Sequence, residues 1–149
     1  MRILVDADAC PVKQKIIAAA KRKNIPVLMF TNYSHEICDG YSIVIKADEG
    51  KDSVDFALIA QLTKDDVVMT QDYGLAAMVI SKGAKAINQY GSLYTDENID
   101  RLLTERHINN VIRRSGGRIK SAPKRKKKDD ESFEKAFENL LAKNGAADA

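Results

Sequence analysis

The sequence predicts an α/β fold built on a mainly parallel sheet of about five strands flanked by helices. Two patterns predict it. Short apolar runs alternate with segments of helical periodicity, as in chained βαβ units. The runs are apolar at successive positions, as strands covered on both faces are. A third observation bears on function: the first run, in ILVDADACP, ends on Asp6 and Asp8 ahead of Pro11. Strand-end carboxylates of an open α/β sheet face the crevice where ligands bind.

Residues 2–5 form the first predicted strand. Pro11 suits the start of a helix reaching Lys23, because its missing N–H costs nothing there; Val12, Ile16, Ile17 and Ala20 fall near one face. IPVLMF (25–30) is the second strand, ending at Thr31 and Asn32, and YSIVIKA (41–47) is the third. Between Asp52 and Leu62 the apolar positions Val54, Ala57, Leu58 and Leu62 return to helical spacing. DVVMT (66–70) is the fourth strand, YGLAAMVISKG a helix ended by Gly83, and AKAIN (84–88) the fifth strand. Thr95 is placed to cap a helix over 96–103, with ERHINNVIRR a further helix halted by Gly116 and Gly117. RIKSAPKRKKKDD has almost no apolar content and is expected to be a mobile linker. Phe133, Phe137, Leu140 and Leu141 then mark an amphipathic helix that docks on the body or on a partner. The expected organisation is an α/β domain over 1–112, a basic flexible linker over 113–130, and a C-terminal amphipathic helix and tail over 131–149.

A chain of 149 residues suffices for one domain with a sizeable core. It carries no twenty-residue apolar stretch and no basic-then-apolar leader, so a soluble, cytoplasmic protein without a membrane partner is expected. Cys10 and Cys38 lack CxxC or metal-ligand spacing and are expected to be reduced thiols. The formal net charge of +3 conceals a division: residues 1–112 hold 13 Lys+Arg against 15 Asp+Glu, and residues 113–149 hold 11 against 6. Arg113, Arg114, Arg118, Lys120, Lys124, Arg125, Lys126, Lys127 and Lys128 stand in one stretch with no acid among them. Such a run offers a polyanion many phosphate contacts, and a merely solvated segment is the competing explanation.

Under this topology Asp6 and Asp8 follow the first strand, Asn32 the second and Asp72 the fourth, all at carboxyl ends. Asp52 and Asp55, three apart at a helix start, share a face. Converging carboxylates repel one another unless protons or cations neutralise them, and hard oxygen ligands suit Mg²⁺ or Mn²⁺. Ordinary structural roles compete: a helix start for Asp52 and Asp55, a cap for Asp72, a turn for Asp6 and Asp8. The coincidence of all five is the stronger signal. His35 and His107 lack metal-pair spacing and are expected to be structural or surface residues; Cys10 is expected to serve the core or a cap.

VDADACP, DSVD ahead of FALIAQL, VVMTQDYGLA with SKGAKAI, and the closing SGGRIKSAPKRKKKDDESFEKAFENLL resemble the bacterial YaiI/YqxD family, also called UPF0178. That family is similar in fold to PIN-like domains, metal-dependent nucleases built on a parallel sheet with clustered acids. The resemblance implies a three-layer PIN-like fold and a nuclease acting on nucleic acid, RNA ahead of DNA. It implies that Asp6, Asp55 and Asp72 hold Mg²⁺ or Mn²⁺ at the catalytic centre. Asp8 and Asp52, which belong to the narrower family's own pattern, would bind the metal through water or position the nucleophile. Asn32 would hydrogen-bond substrate at the rim, and the basic run would contact phosphates. A PIN-like protein that binds without cleaving is one alternative. ILVDADACPV also resembles the first motif of haloacid-dehalogenase-like phosphatases, in which Asp6 would attack phosphorus and Asp8 would handle the proton.

Overall fold

The computed structural model of the chain describes residues 1–32, 37–50, 52–121 and 123–147. Five strands, β1 (Ile3–Asp6), β2 (Val27–Thr31), β3 (Ile43–Lys46), β4 (Val67–Met69) and β5 (Lys85–Ile87), form one sheet in the order β3-β2-β1-β4-β5. Every pairing is parallel, with Ile3 opposite both Val27 and Val67. The helices are α1 (Lys13–Lys23), α2 (Ser53–Gln61), α3 (Tyr73–Ser81), α4 (Asp96–Arg114) and α5 (Lys127–Ala147). The strand order reverses between β1 and β4, and the carboxyl ends of these two strands therefore flank the topological switch point of the sheet.

Side chains alternate across a strand, so each strand feeds two cores. Ile3, Val5, Val27, Met29, Val67, Met69 and Ile87 pack on one face under α1 and α5. Leu4, Leu28, Phe30, Val68 and Ala86 pack on the other under α2, α3 and α4. The result is three layers, an arrangement consistent with a PIN-like fold. Asp6 shares its parity with Leu4, and the switch point therefore meets its carboxylate on the α2–α4 side.

The strands lie within two residues of their expected bounds, and three differences concern the helices. Helix α1 starts at Lys13 rather than Pro11, with Val12 at its N-cap and no side-chain cap. Residues 96–114 form one helix instead of two. The Arg101–Glu105 ion pair spans the expected break, and Thr104 there places its hydroxyl on the Asp100 carbonyl one turn back without interrupting the helix. The Thr95 cap is present as a full capping box with Asn98. Both ends of the expected linker over 113–130 are helical, since α4 runs to Arg114 and α5 begins at Lys127.

Helix α5 docks on the body. Phe133, Phe137, Leu140 and Leu141 are buried in the α1-side core, the two phenylalanine rings stacked 5.2 Å apart. Lys15–Glu134 at 3.2 Å and an Arg22–Glu138 contact flank the seam. Gly91, at φ +92°, lets the turn after β5 approach α5 closely; a Cβ there would stand 2.7 Å from the Ala136 Cβ. Among the described residues no helix is long and apolar enough to cross a membrane.

Candidate functional site

Three acids come together beside the switch point from three separate elements: Asp6 at the end of β1, Asp55 in the first turn of α2, and Asp72 between β4 and α3. Thr70 organises two of them. Buried at the end of β4, it donates its hydroxyl to Asp6 Oδ2 at 2.9 Å and accepts the Asp72 backbone N–H at 3.0 Å. Its carbonyl in turn accepts the Tyr94 hydroxyl at 3.0 Å. Burial pushes the Asp6 carboxyl up to about 6 against the Thr70 hydrogen bond, and the charges of Asp72 and Asp8 push the same way. Asp55 is also raised to about 6, by burial and then by Asp72, Asp6 and Asp52.

Asp72 is the N-cap of α3, its Oδ1 accepting the Leu75 N–H at 3.1 Å. The same oxygen lies 3.4 Å from Arg106 Nη1 on α4. Capping and cluster membership therefore coexist in one residue. Gly74 leaves room for the Asp72 carboxylate: a Cβ there would lie 3.2 Å from Oδ1, while Arg106 Nη1, at 3.6 Å, would be in ordinary contact. Asp52 occupies the N-cap position of α2 at φ +71° and makes no side-chain cap hydrogen bond, so capping does not account for its carboxylate. Asp52, Asp55, Phe56, Asp72, Gly74, Met78, Arg106 and Asn110 line a cleft of about 630 Å³.

Asp8 is turned elsewhere. Its carboxylate accepts the Thr31 hydroxyl and, at 3.1 Å, the Asn32 backbone N–H, and it thereby ties the loop after β1 to the end of β2. Gln71 Nε2 donates to the Ala9 carbonyl at 2.9 Å and Lys13 Nζ to that of Ala7 at 3.1 Å, pinning a loop in which Ala9 adopts φ +63°. Asp6, Asp8 and Asn32 do not line the cleft; Asp6 lies behind its wall, joined to Asp72 through Thr70, whereas Asp8 and Asn32 have no such link among the described residues. Cys10 is buried with Sγ 3.4 Å from Met69 Sδ, and desolvation raises its thiol to about 11, which leaves it protonated and unreactive at neutral pH. Cys38 is a free, exposed thiol and His107 is exposed, while His35 lies outside the described residues.

The basic run divides in two. Arg113, Arg114, Arg118, Lys120, Lys124, Lys126, Lys127 and Lys128 lie along the surface, all of them exposed. Arg125 is instead docked: it pairs with Asp130 at 2.8 Å, donates to the Gln89 carbonyl at 2.9 Å, and lies over the Tyr90 ring.

As hard oxygen donors the acids fit Mg²⁺ or Mn²⁺. Among the described residues, however, no three His, Cys, Asp or Glu side chains form a group able to hold an ion by themselves. Mg²⁺ characteristically takes one or two carboxylates and completes its shell with water and substrate phosphate, so it does not require three protein ligands. Thr70, Gly74, Arg106 and Asn110 were not signalled by the sequence. Only the packing of α4 on α3 brings Arg106 to an acid 34 residues away.

No solved structure matches the chain significantly. A UPF0178 protein from Ruminiclostridium cellulolyticum is 57% identical over 137 residues, covering 92% of this chain and 90% of the relative. UPF0178 proteins from Alkaliphilus oremlandii (49% identical; 97% of this chain, 93% of the relative) and Natranaerobius thermophilus (45%; 95% and 96%) are similar along nearly their whole lengths. A family profile described as "Uncharacterized BCR, YaiI/YqxD family" matches residues 4–143, and the chain accordingly belongs to the YaiI/YqxD family of bacterial proteins.

Proposed function

We propose that the cleft between α2, α3 and α4 binds a phosphodiester, RNA ahead of DNA, and hydrolyses it as a Mg²⁺- or Mn²⁺-dependent nuclease of the PIN-like superfamily. The observation that supports this best is the approach of Asp6, Asp55 and Asp72, from three elements, to the switch point of a parallel sheet, with one arginine facing them. One or two of Asp6, Asp55 and Asp72 would hold the ion, with water and substrate phosphate completing its shell and Asp52 on the same cleft wall. When bound, such an ion lowers the pKa of a water and offsets charge on the scissile phosphate. Thr70 orients Asp6. Asp72 holds Arg106 against the cleft, where the guanidinium offers phosphate a directed pair of donors. Arg113 and Arg114 lie on the same helix as Arg106, and with Arg118, Lys120, Lys124, Lys126, Lys127 and Lys128 they extend the positive surface toward flanking phosphates. Asp8 is poorly placed to act as the acid of a phosphatase, because both its oxygens already accept hydrogen bonds.

Purified protein incubated with single-stranded and structured RNA in Mn²⁺ should cleave, and chelator or Asp6→Asn should abolish cleavage. Mn²⁺ should also raise the melting temperature of the wild type by mass action and leave Asp6→Asn nearly unmoved. Tight binding of RNA that stays intact would make the protein a non-catalytic binding module. Rapid phosphate monoester hydrolysis through a trapped phospho-Asp6 would make it a phosphatase.

A further inference from the structure

Phe56 is 71% exposed on a helix whose Val54 and Leu58 are buried. It is a wall of two hollows at once. On one side is the acid cleft with Arg106 and Asn110; on the other is a hollow of about 420 Å³ lined by Lys46, Ala47, Asp48, Ser53, Phe56 and Ala57. Among the described lining residues each hollow carries one cation, Arg106, paired with Asp72, in the first and the exposed Lys46 in the second, with a bare aromatic ring between them. Met78, also exposed, adds an apolar patch to the wall of the acid cleft.

We infer that Phe56 is a stacking platform for an unpaired nucleobase and that Lys46 receives a phosphate on the far side of that base from the acid cleft. The inference rests on the function proposed above and adds the form of substrate: a strand that is single-stranded where it crosses α2. An aromatic face flanked by two cations matches the repeat of a nucleic acid strand, in which each base lies between two phosphates. Stacking tolerates any base, so the platform selects an open strand and not a sequence. In a duplex the base faces are covered by their neighbours, and Phe56 has nothing to stack on.

The test uses the full chain in chelator, which separates binding from cleavage, and a short single-stranded RNA carrying 2-aminopurine, whose fluorescence responds to stacking. Wild type should bind it with a fluorescence change. Phe56→Ala should weaken binding by about tenfold and remove that change, and Phe56→Trp should keep both. Lys46→Gln should reduce the slope of log affinity against log salt by about 0.7, and Lys46→Arg should restore it. The same sequence as a duplex should bind more weakly and ignore Phe56→Ala. The side chain is exposed, so the melting temperature should not move with these substitutions. Unchanged affinity and fluorescence in Phe56→Ala would overturn the inference while leaving the proposed function standing. So would RNA binding that persists while Phe56→Ala abolishes self-association in sedimentation, which would make the ring a contact between copies of the chain. Failure of wild type to bind the single-stranded RNA in chelator would overturn this inference, and failure to bind or cleave it in Mn²⁺ as well would remove the proposed function too.

Discussion

Replacing Asp6 with Asn should stabilise the metal-free protein at neutral pH. The Asp6 carboxyl sits at about 6 in the fold against an ordinary value of 3.8, so the folded state holds its proton more tightly than the unfolded chain does. At about 1.4 kcal/mol per pH unit the difference amounts to about 3 kcal/mol, the cost of keeping Asp6 ionised in the fold. Below about pH 4 both states are protonated and the cost vanishes; it grows as the unfolded chain ionises first, and is complete above about pH 6. Asparagine has the same shape, and its Oδ1 still accepts from Thr70. Urea unfolding in chelator should therefore show wild-type stability falling between about pH 4 and about pH 6.5, with a flatter curve for Asp6→Asn. The two should nearly coincide at the acid end and separate by up to about 3 kcal/mol at about pH 7.5. Asp55, raised to about 6 but more exposed, adds a smaller contribution in the same window. Asp39 and Asp66 are lowered by their hydrogen bonds and lose their contributions only as pH falls below about 4, outside that window. A variant less stable than wild type at neutral pH, or offset equally at both ends, would refute the reasoning.

Asp72→Asn keeps an acceptor for the Leu75 N–H and removes a charge, whereas Asp72→Ala loses both; calorimetry should place the alanine variant about 0.5–2 kcal/mol below the asparagine one. Phe137→Ala should cost about 3–5 kcal/mol in urea unfolding, with a single transition, if α5 belongs to the cooperative unit as its burial requires. Asp66 accepts from the Arg2 backbone N–H, the Arg2 guanidinium and the Thr63 N–H, so Asp66→Ala should destabilise by about 3 kcal/mol at neutral pH and by less in acid. Replacing Arg113, Arg114, Arg118 and Lys120 with Gln should flatten the salt dependence of RNA binding by up to about 0.7 log units for each phosphate no longer neutralised, without lowering the melting temperature. Truncation after Ile112 cannot serve that purpose, because it removes Phe133, Phe137, Leu140 and Leu141 from the core.

The strands were legible because their apolar runs are short, continuous and separated by helical periodicity. With the order of elements known, the carboxyl-end positions of Asp6 and Asp72 followed. What was not legible depended on partners. Thr104 reads as a break, yet the Arg101–Glu105 pair spans it and its hydroxyl is satisfied on the Asp100 carbonyl within one helix. The stripe of α5 shows that a face needs covering but not that α1 covers it. Asp8 looks equivalent to Asp6 in the motif, yet Thr31 and Asn32 claim it. Arg106 is one of several charged residues on an exposed helix face, and Thr70 one more β-branched residue in an apolar run. Their roles arise from three-dimensional neighbours that no local spacing encodes.

The docking of α5 has a consequence for synthesis. The first strand made, β1, lies at the centre of the sheet, and its α1-side face is closed by a helix that follows every strand in the chain. Until α5 leaves the ribosome, the apolar surface that receives Phe133 and Phe137 is open to solvent, to chaperones and to other nascent chains. An interrupted chain would carry the candidate acids and the whole sheet, yet expose a sticky surface that marks it for degradation. Arrival of α5 therefore closes this core, and pulse-labelled chains should become protease-resistant only after Leu141 has been released.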